Sequence, residues 1–267
     1  MILSALDQFP LWQIYLFILV ILFLSAEMGF YIGKFRKARS KDAGGEDKQT
    51  GSIMGASLGL LAFLLAFAFN IATNIHSERK GLVLEESNAL GTLYLRSQMF
   101  EVEEADKLRQ IIKDYVSLRL DIVQTLSNEE FAQGVAASEK QLNEIWYLVR
   151  KILQQSDSPI GTAPLINAAN EVIDLHAKRI NAGFKRLPHV NSFLLIFIAI
   201  LTLTLMGYQS GLNGIRVLVP RTALILSLAT VMIVIADLDR PGGSLIEVSQ
   251  KAMMDLEKQL VTEAGKE

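Results

Sequence analysis

The chain has 267 residues, 51% of them hydrophobic, with 26 Lys and Arg against 28 Asp and Glu, a formal net charge of -2 and no cysteine. That balance gives no global basic surface for nucleic acid, and the lack of thiols excludes both a disulfide framework and a thiolate metal site. Mean hydropathy is positive but segregated: long runs almost free of charge alternate with segments dense in Glu, Lys and Arg, the pattern of a membrane protein with a soluble helical insert.

The first apolar run, Leu11–Gly33, is too long for a signal-peptide core. No Lys or Arg precedes it, no small-residue cleavage pattern follows it, and its cations Lys34, Arg36, Lys37, Arg39 and Lys41 lie on the far side. It reads as a retained span. Ile53–Ile75, Val190–Tyr208 and Val217–Leu238 follow, each near the roughly 20 helical residues that cross about 30 Å of hydrocarbon. The six prolines sit near segment ends and none lies between Leu11 and Ser158, where only glycines and the polar loop around Asp42–Lys48 interrupt helix.

Between the second and third spans the periodicity is helical, with no strand alternation. Val83–Leu126 reads as one long helix, with the option of continuing the second span past Gly81. Ser127-Asn128-Glu129-Glu130 has capping-box spacing, and Phe131, Val135, Leu142, Ile145, Trp146, Val149 and Leu153 then share one face. The polar turn Gln155–Gly161 ends that helix, and Thr162 with Pro164 opens the next, which runs to Leu187. The fold class is therefore all-α: four transmembrane helices with a large helical insert between the second and third spans. The expected parts are residues 1–75 (two spans and a basic loop), 76–189 (the insert), 190–238 (two spans) and 239–267 (a tail helix).

The basic first loop, with Arg216 and Arg221 near the last turn, puts that side in the cytoplasm, and the N-terminus, insert and tail outside it. Arg79, Lys80, Lys185 and Arg186 count the other way. The expected location is a bacterial inner membrane.

Gly51, Gly55, Gly59, Ala62 and Ala66 fall on one face of the second span, which lets another backbone approach closely, in a second copy or in the same chain. To either side lie Leu58, Leu61, Leu65 and Phe69, or Phe63, Phe67 and Ile71. In a ring of second spans, one stripe would form an apolar pore neck able to gate by dewetting: Leu65 and Phe69 with Asn70 beyond them, or the alternative Phe63 and Phe67. Asn70 and Asn74 offer amide donors, or simply bonds between helices. Beyond them Arg79, Glu85, Glu86, Asn88 and Arg96 would form a vestibule or ion-pair network, or a solvated helix.

Glu27, an acid inside the first span, is an ion or proton site or the partner of a neighbour. Asp237 and Asp239, beside Arg240 at the last span's end, are a candidate cation site or a stop-and-turn; the calcium-loop pattern is absent, and no metal site is firmly assigned. Arg221 is expected to snorkel to the interface. Gly211–Gly214 reads as a turn. His76, His176 and His189 stand apart, and no phosphate loop, dinucleotide fingerprint, zinc helix or nucleophile elbow occurs, so no enzyme is predicted.

The stretch "LLAFAFNIATNIHSERKGLVLEESNALGTLYLR", with "DLDRPGGSLIEVSQ" after the last span, resembles a bacterial membrane family described as bestrophin-like. The resemblance implies a pentamer of four-span chains with an all-helical cytosolic region, conducting anions through a neck on the second span. Leu65, Phe69 and Asn70 look similar to that neck, and Asp237 and Asp239 to part of an acidic calcium clasp whose full run is missing here. Bestrophin orientation keeps both termini cytosolic, opposite to the charge count. The expected function is an oligomeric, anion-conducting channel, with lipid, inorganic ions and further copies of itself as partners and no cofactor beyond Ca²⁺ at that clasp. The alternative is a non-conducting membrane sensor or scaffold acting through a partner protein.

Overall fold

A computed structural model describes residues 9–39, 43–124, 128–155, 159–240, 242 and 245–264. Among them are eight helices: α1 (Leu11–Arg39), α2 (Ala43–Ser97), α3 (Glu103–Gln124), α4 (Asn128–Gln155), α5 (Pro159–Phe184), α6 (His189–Asn213), α7 (Leu218–Asp239) and α8 (Lys251–Ala264). The predicted spans fall on α1, α2, α6 and α7, with Val217 just before α7, and among the described residues four helices are long and apolar enough to cross a membrane. The capping serine Ser127, Lys41, Asp42 and the turn residue Pro241 lie outside the described residues.

The chain divides into two compact units. The first draws on residues 1–75, 186–240 and 244–246, the second on 76–185, 241–243 and 247–267.

In the first unit α1 packs along α6 and also meets α7. The α1–α6 contact is backbone against backbone. A Cβ added at Gly29 would lie 2.0 Å from the Thr204 carbonyl oxygen, and one at Gly33 2.2 Å from that of Tyr208. The converse holds at Gly207, 2.0 Å from the Ala26 oxygen, and at Gly211, 2.3 Å from that of Phe30. Residue numbers rise together along both helices, so the two run parallel, meshed by glycines four apart on each. α6 ends at Gly214, whose φ of 75° puts it in the left-handed region and whose N–H reaches the Ser210 and Gly211 carbonyls. The unit's core is completed by Leu61, Leu65, Ala68 and Ala72 of α2 with Leu195, Ala199 and Leu203 of α6 and Ile225 and Ala229 of α7.

Arg221 does not snorkel. It is 5% exposed and its guanidinium bonds the Glu27 carboxylate, which Arg216 approaches at 3.4 Å from the other side. Pairing removes the cost of a lone charge in an apolar setting, which the sequence could not assign.

In the second unit the predicted helix Val83–Leu126 is two helices. α2 runs unbroken through Gly81 to Ser97, and α3 starts at Glu103. The break needs neither glycine nor proline. Successive N–H groups of Gln98, Met99 and Phe100 reach back only three residues, to Leu95, Arg96 and Ser97, tightening the last turn. Phe100 is thereby buried with Leu90, Leu93, Leu108 and Ile112, and Glu103, Glu104 and Asp106 stabilise the new N-terminus. Three further boundaries shift. The expected polar loop over Asp42–Lys48 is helical from Ala43, and α5 opens at Pro159 and ends at Phe184 rather than Leu187.

A glycine of the α1–α6 seam should therefore tolerate nothing larger. Gly207→Ala is expected to cost about 1–3 kcal/mol through overpacking, read as a lowered melting temperature of the full chain in detergent, whereas Gly183→Ala, with nothing within 4 Å of its Cβ, should not lower it.

Candidate functional site

The membrane part of α2 has one face in the core of the first unit and one face bare. Leu61, Leu65, Ala68 and Ala72 point inward. Gly55, Gly59, Ala62, Phe63, Ala66, Phe67 and Asn70 are exposed, Phe63 at 67% and Phe67 at 55%. No atom lies within 4 Å of a Cβ built on Gly55 or Gly59, and at Gly51 the near neighbour is the Gln209 side chain. So Gly55 and Gly59 are not used for packing within the described chain. Leu65 and Phe69 do not share a surface: Leu65 is 6% exposed and Phe69 43%. Phe63, Phe67 and Asn70 do. Asn74 donates its side-chain N–H to the Asn70 side-chain oxygen Oδ1 at 3.0 Å, which leaves the side-chain N–H groups of the exposed Asn70 as its donors.

The five polar residues expected to form one network are dispersed in the second unit. Arg79 donates to the carbonyls of Ala182 at 3.1 Å and Lys185 at 2.6 Å, closing the C-terminal end of α5. Arg96 donates to the Pro164 carbonyl at 2.6 Å. Glu85 lines an open surface groove with Asn167, Asn170, Glu171, Asp174 and Lys178, and Asn88 is exposed.

Glu86 alone anchors a buried charge cluster, with partners the sequence reading did not name. Its carboxylate is fully buried and pairs with Arg179, with Arg119 at 3.4 Å. It also accepts the Tyr115 hydroxyl at 2.8 Å. Tyr115 has one proton and gives it to Glu86, so its 2.9 Å contact with His176 takes Nδ1–H as the donor. Arg179 reaches on to Gln250 at 2.8 Å, and Ser87 to the Ala252 carbonyl at 3.0 Å, fastening the start of α8. Each partner was legible in principle as a polar residue at a core position. Glu86 lies one turn from Leu82 and Leu90, Tyr115 and Arg119 continue the stripe of Leu108 and Ile112, and His176 and Arg179 continue that of Val172.

The cluster lies beyond the apolar run of α2. Burial acts to raise the Glu86 carboxyl, but Arg119 and Arg179, with hydrogen bonds from Arg179 and Tyr115, outweigh it and hold the group below the usual carboxylate range. Burial, helped by Arg119, lowers His176. Burial, helped by the Glu86 charge, pushes Tyr115 well up.

The two aspartates after the last span serve different neighbours. Asp237 is buried and accepts the backbone N–H groups of Leu245 at 2.9 Å and Ile246 at 3.0 Å. Asp239 accepts the Leu187 N–H and lies 3.7 Å from Arg186, which also donates to its backbone carbonyl at 2.7 Å. Arg240 donates to the Phe9 carbonyl at 3.0 Å. No group of three or more potential metal ligands occurs among the described residues.

Two linked effects of pH follow, with the same sign. Glu86 contributes stability above its unfolded value that is lost as pH falls through its lowered folded value. His176, kept neutral in the fold, must charge on unfolding below about pH 6.5. The melting temperature, followed by the fluorescence of Trp146 in α4, should fall on acidification from about pH 7 to about pH 5.5, and His176→Gln should remove most of that loss. Glu86→Ala, which leaves two buried guanidiniums without a counter-charge, should cost about 3–5 kcal/mol at neutral pH.

Comparison with known proteins supports the same architecture. A family model described as the bestrophin-like domain matches residues 20–253. No curated protein matches the chain. Solved structures of a bacterial bestrophin homologue from Klebsiella pneumoniae share the fold. One variant matches with TM-score 0.67 at 15% identity over 93% of this chain and 99% of its own. Another gives 0.67 at 15% over 96% and 99%, and a zinc-phased structure 0.65 at 16% over 92% and 98%. With its four apolar spans, its helical insert and a matched region covering most of its length, this membrane protein belongs to the bestrophin-like family.

Proposed function

We propose that the chain is the protomer of an anion channel in a bacterial inner membrane, assembled as a homo-pentamer around its α2 helices. The observation that carries this reading is the bare face of α2. Gly55, Gly59, Ala62 and Ala66 offer a close approach that no described residue of the same chain occupies, and Phe63 and Phe67 stand beside them, exposed. A lipid-facing helix needs neither feature, whereas a ring of second spans uses both, the small stripe against the neighbouring copy and the aromatic stripe toward the axis. Known members of the family and fold are anion channels.

On this reading the neck consists of Phe63 and Phe67 with Asn70 at its end, and Phe69 borders it. Leu65 is a core residue. The side-chain N–H groups of Asn70 suit an anion that sheds part of its water, because they are donors. Asp237 and Asp239 act as caps for the tail and for the approach to α6, and Ca²⁺ is not required for conduction.

Purified protein in liposomes tests this. Chloride flux should exceed potassium flux, and Phe67→Ala or Phe63→Ala should raise chloride flux several-fold by widening the apolar constriction. Leu65→Ala should instead lower stability by about 2–5 kcal/mol. No flux from wild type and Phe67→Ala alike, in protein shown to be folded and oligomeric, would overturn the channel reading in favour of a sensor or scaffold working through a partner protein.

A further inference from the structure

The first unit concentrates positive charge where α1 leaves the apolar run. Lys34, Lys37 and Arg39 follow Gly33 on α1 and are exposed. The parallel α1–α6 seam brings the α6–α7 turn beside them: Lys37 Nζ donates to the Asn213 carbonyl at 3.1 Å. Arg216 belongs to that turn. Its one carboxylate neighbour among the described residues, Glu27, is shared with Arg221, so one negative charge faces two guanidiniums. Lys34, Lys37 and Arg39 have no carboxylate partner among the described residues.

Two of these cations are held by rings, which orient a charge without neutralising it. The Arg216 guanidinium sits 4.4 Å over the Phe30 ring and 5.8 Å from that of Tyr31. Arg39 sits 4.5 Å over Phe35. A planar guanidinium so positioned keeps donors for a bidentate contact with phosphate oxygens. Around them the surface is apolar and open, with Phe35 at 61% and Ile215 at 64% exposed, and Val219 at 78%.

We propose that this corner of the first unit binds the headgroup of an anionic glycerophospholipid, its phosphate between Arg216 and Lys37 and its acyl chains along the exposed apolar side chains. The charge requires an anion, and the apolar shelf at the end of a membrane span makes that anion a lipid rather than free phosphate.

The test uses the full chain in detergent, titrated with phosphatidylglycerol, with phosphatidylcholine of the same acyl chains and with inorganic phosphate, reading bound lipid by native mass spectrometry. Phosphatidylglycerol should be retained at least tenfold over phosphatidylcholine, and millimolar phosphate should not displace it. Arg216→Ala and Lys37→Ala should each weaken retention about fivefold, the effect of roughly one juxtamembrane cation, and Arg216→Lys should restore part of it. Because Arg216→Ala alters the neighbourhood of Glu27, Lys34→Gln with Lys37→Gln serves as a second variant confined to exposed positions, and it too should weaken retention. Equal retention of the two lipids, or unchanged retention in the variants, would overturn the proposal. So would displacement by phosphate at matching concentrations, which would make this a site for free anions.

Discussion

Everything in the membrane unit follows from how closely α1 and α6 approach. Four glycines, two on each helix, let carbonyl oxygens of one helix sit where the other would otherwise carry a Cβ. In lipid no hydrophobic effect drives helices together, so packing of this kind and satisfied polar groups must do so. The seam runs parallel and therefore ends with the C-terminal ends of both helices side by side. That end gathers the cations of α1 and the α6–α7 turn, while the contact of α1 with α7 pairs Glu27 with Arg221. The remaining span, α2, contributes only one face to the unit's core, and its small and aromatic face is left uncovered by the described chain.

The second unit is organised by a different constraint. Glu86 is wholly enclosed and cannot be left ionised alone, so residues from α3 and α5 converge on it. Arg179 extends the cluster to Gln250, which ties α8 to the same centre. A buried ion pair is weak evidence for net stability, since desolvation offsets much of its attraction, but losing one member is costly. The cluster thus specifies how α2, α3, α5 and α8 meet within this unit more than it strengthens them, and its charge balance makes that arrangement sensitive to acid.

The architecture was largely legible in the sequence. Apolar run length placed the four spans on α1, α2, α6 and α7, because the thickness of hydrocarbon is a hard constraint. The small face of the second span was legible too, but its significance was not, since glycine spacing cannot say which glycines are occupied. Gly29 and Gly33 with Gly207 and Gly211 have the same spacing as Gly51, Gly55 and Gly59, yet they are the ones that mesh within the chain. The break after Ser97 was invisible because it goes with the burial of Phe100, a tertiary event that local composition does not report. The neck stripe was ambiguous for a similar reason: Leu65 and Phe67 are equally apolar, and only packing against α6 and α7 turns one inward.

The mass of the full chain in mild detergent, measured by native mass spectrometry, most directly tests the claim that the bare face of α2 is an assembly surface. With a chain of 29.6 kDa, wild type is expected as a single pentameric species. Gly59→Leu is expected to convert it to single chains with the fold of each chain retained, because a Cβ there has no described atom of its own chain within 4 Å. A wild-type protein that remains a single chain across the accessible concentrations, or a Gly59→Leu pentamer as stable as wild type, would contradict that claim.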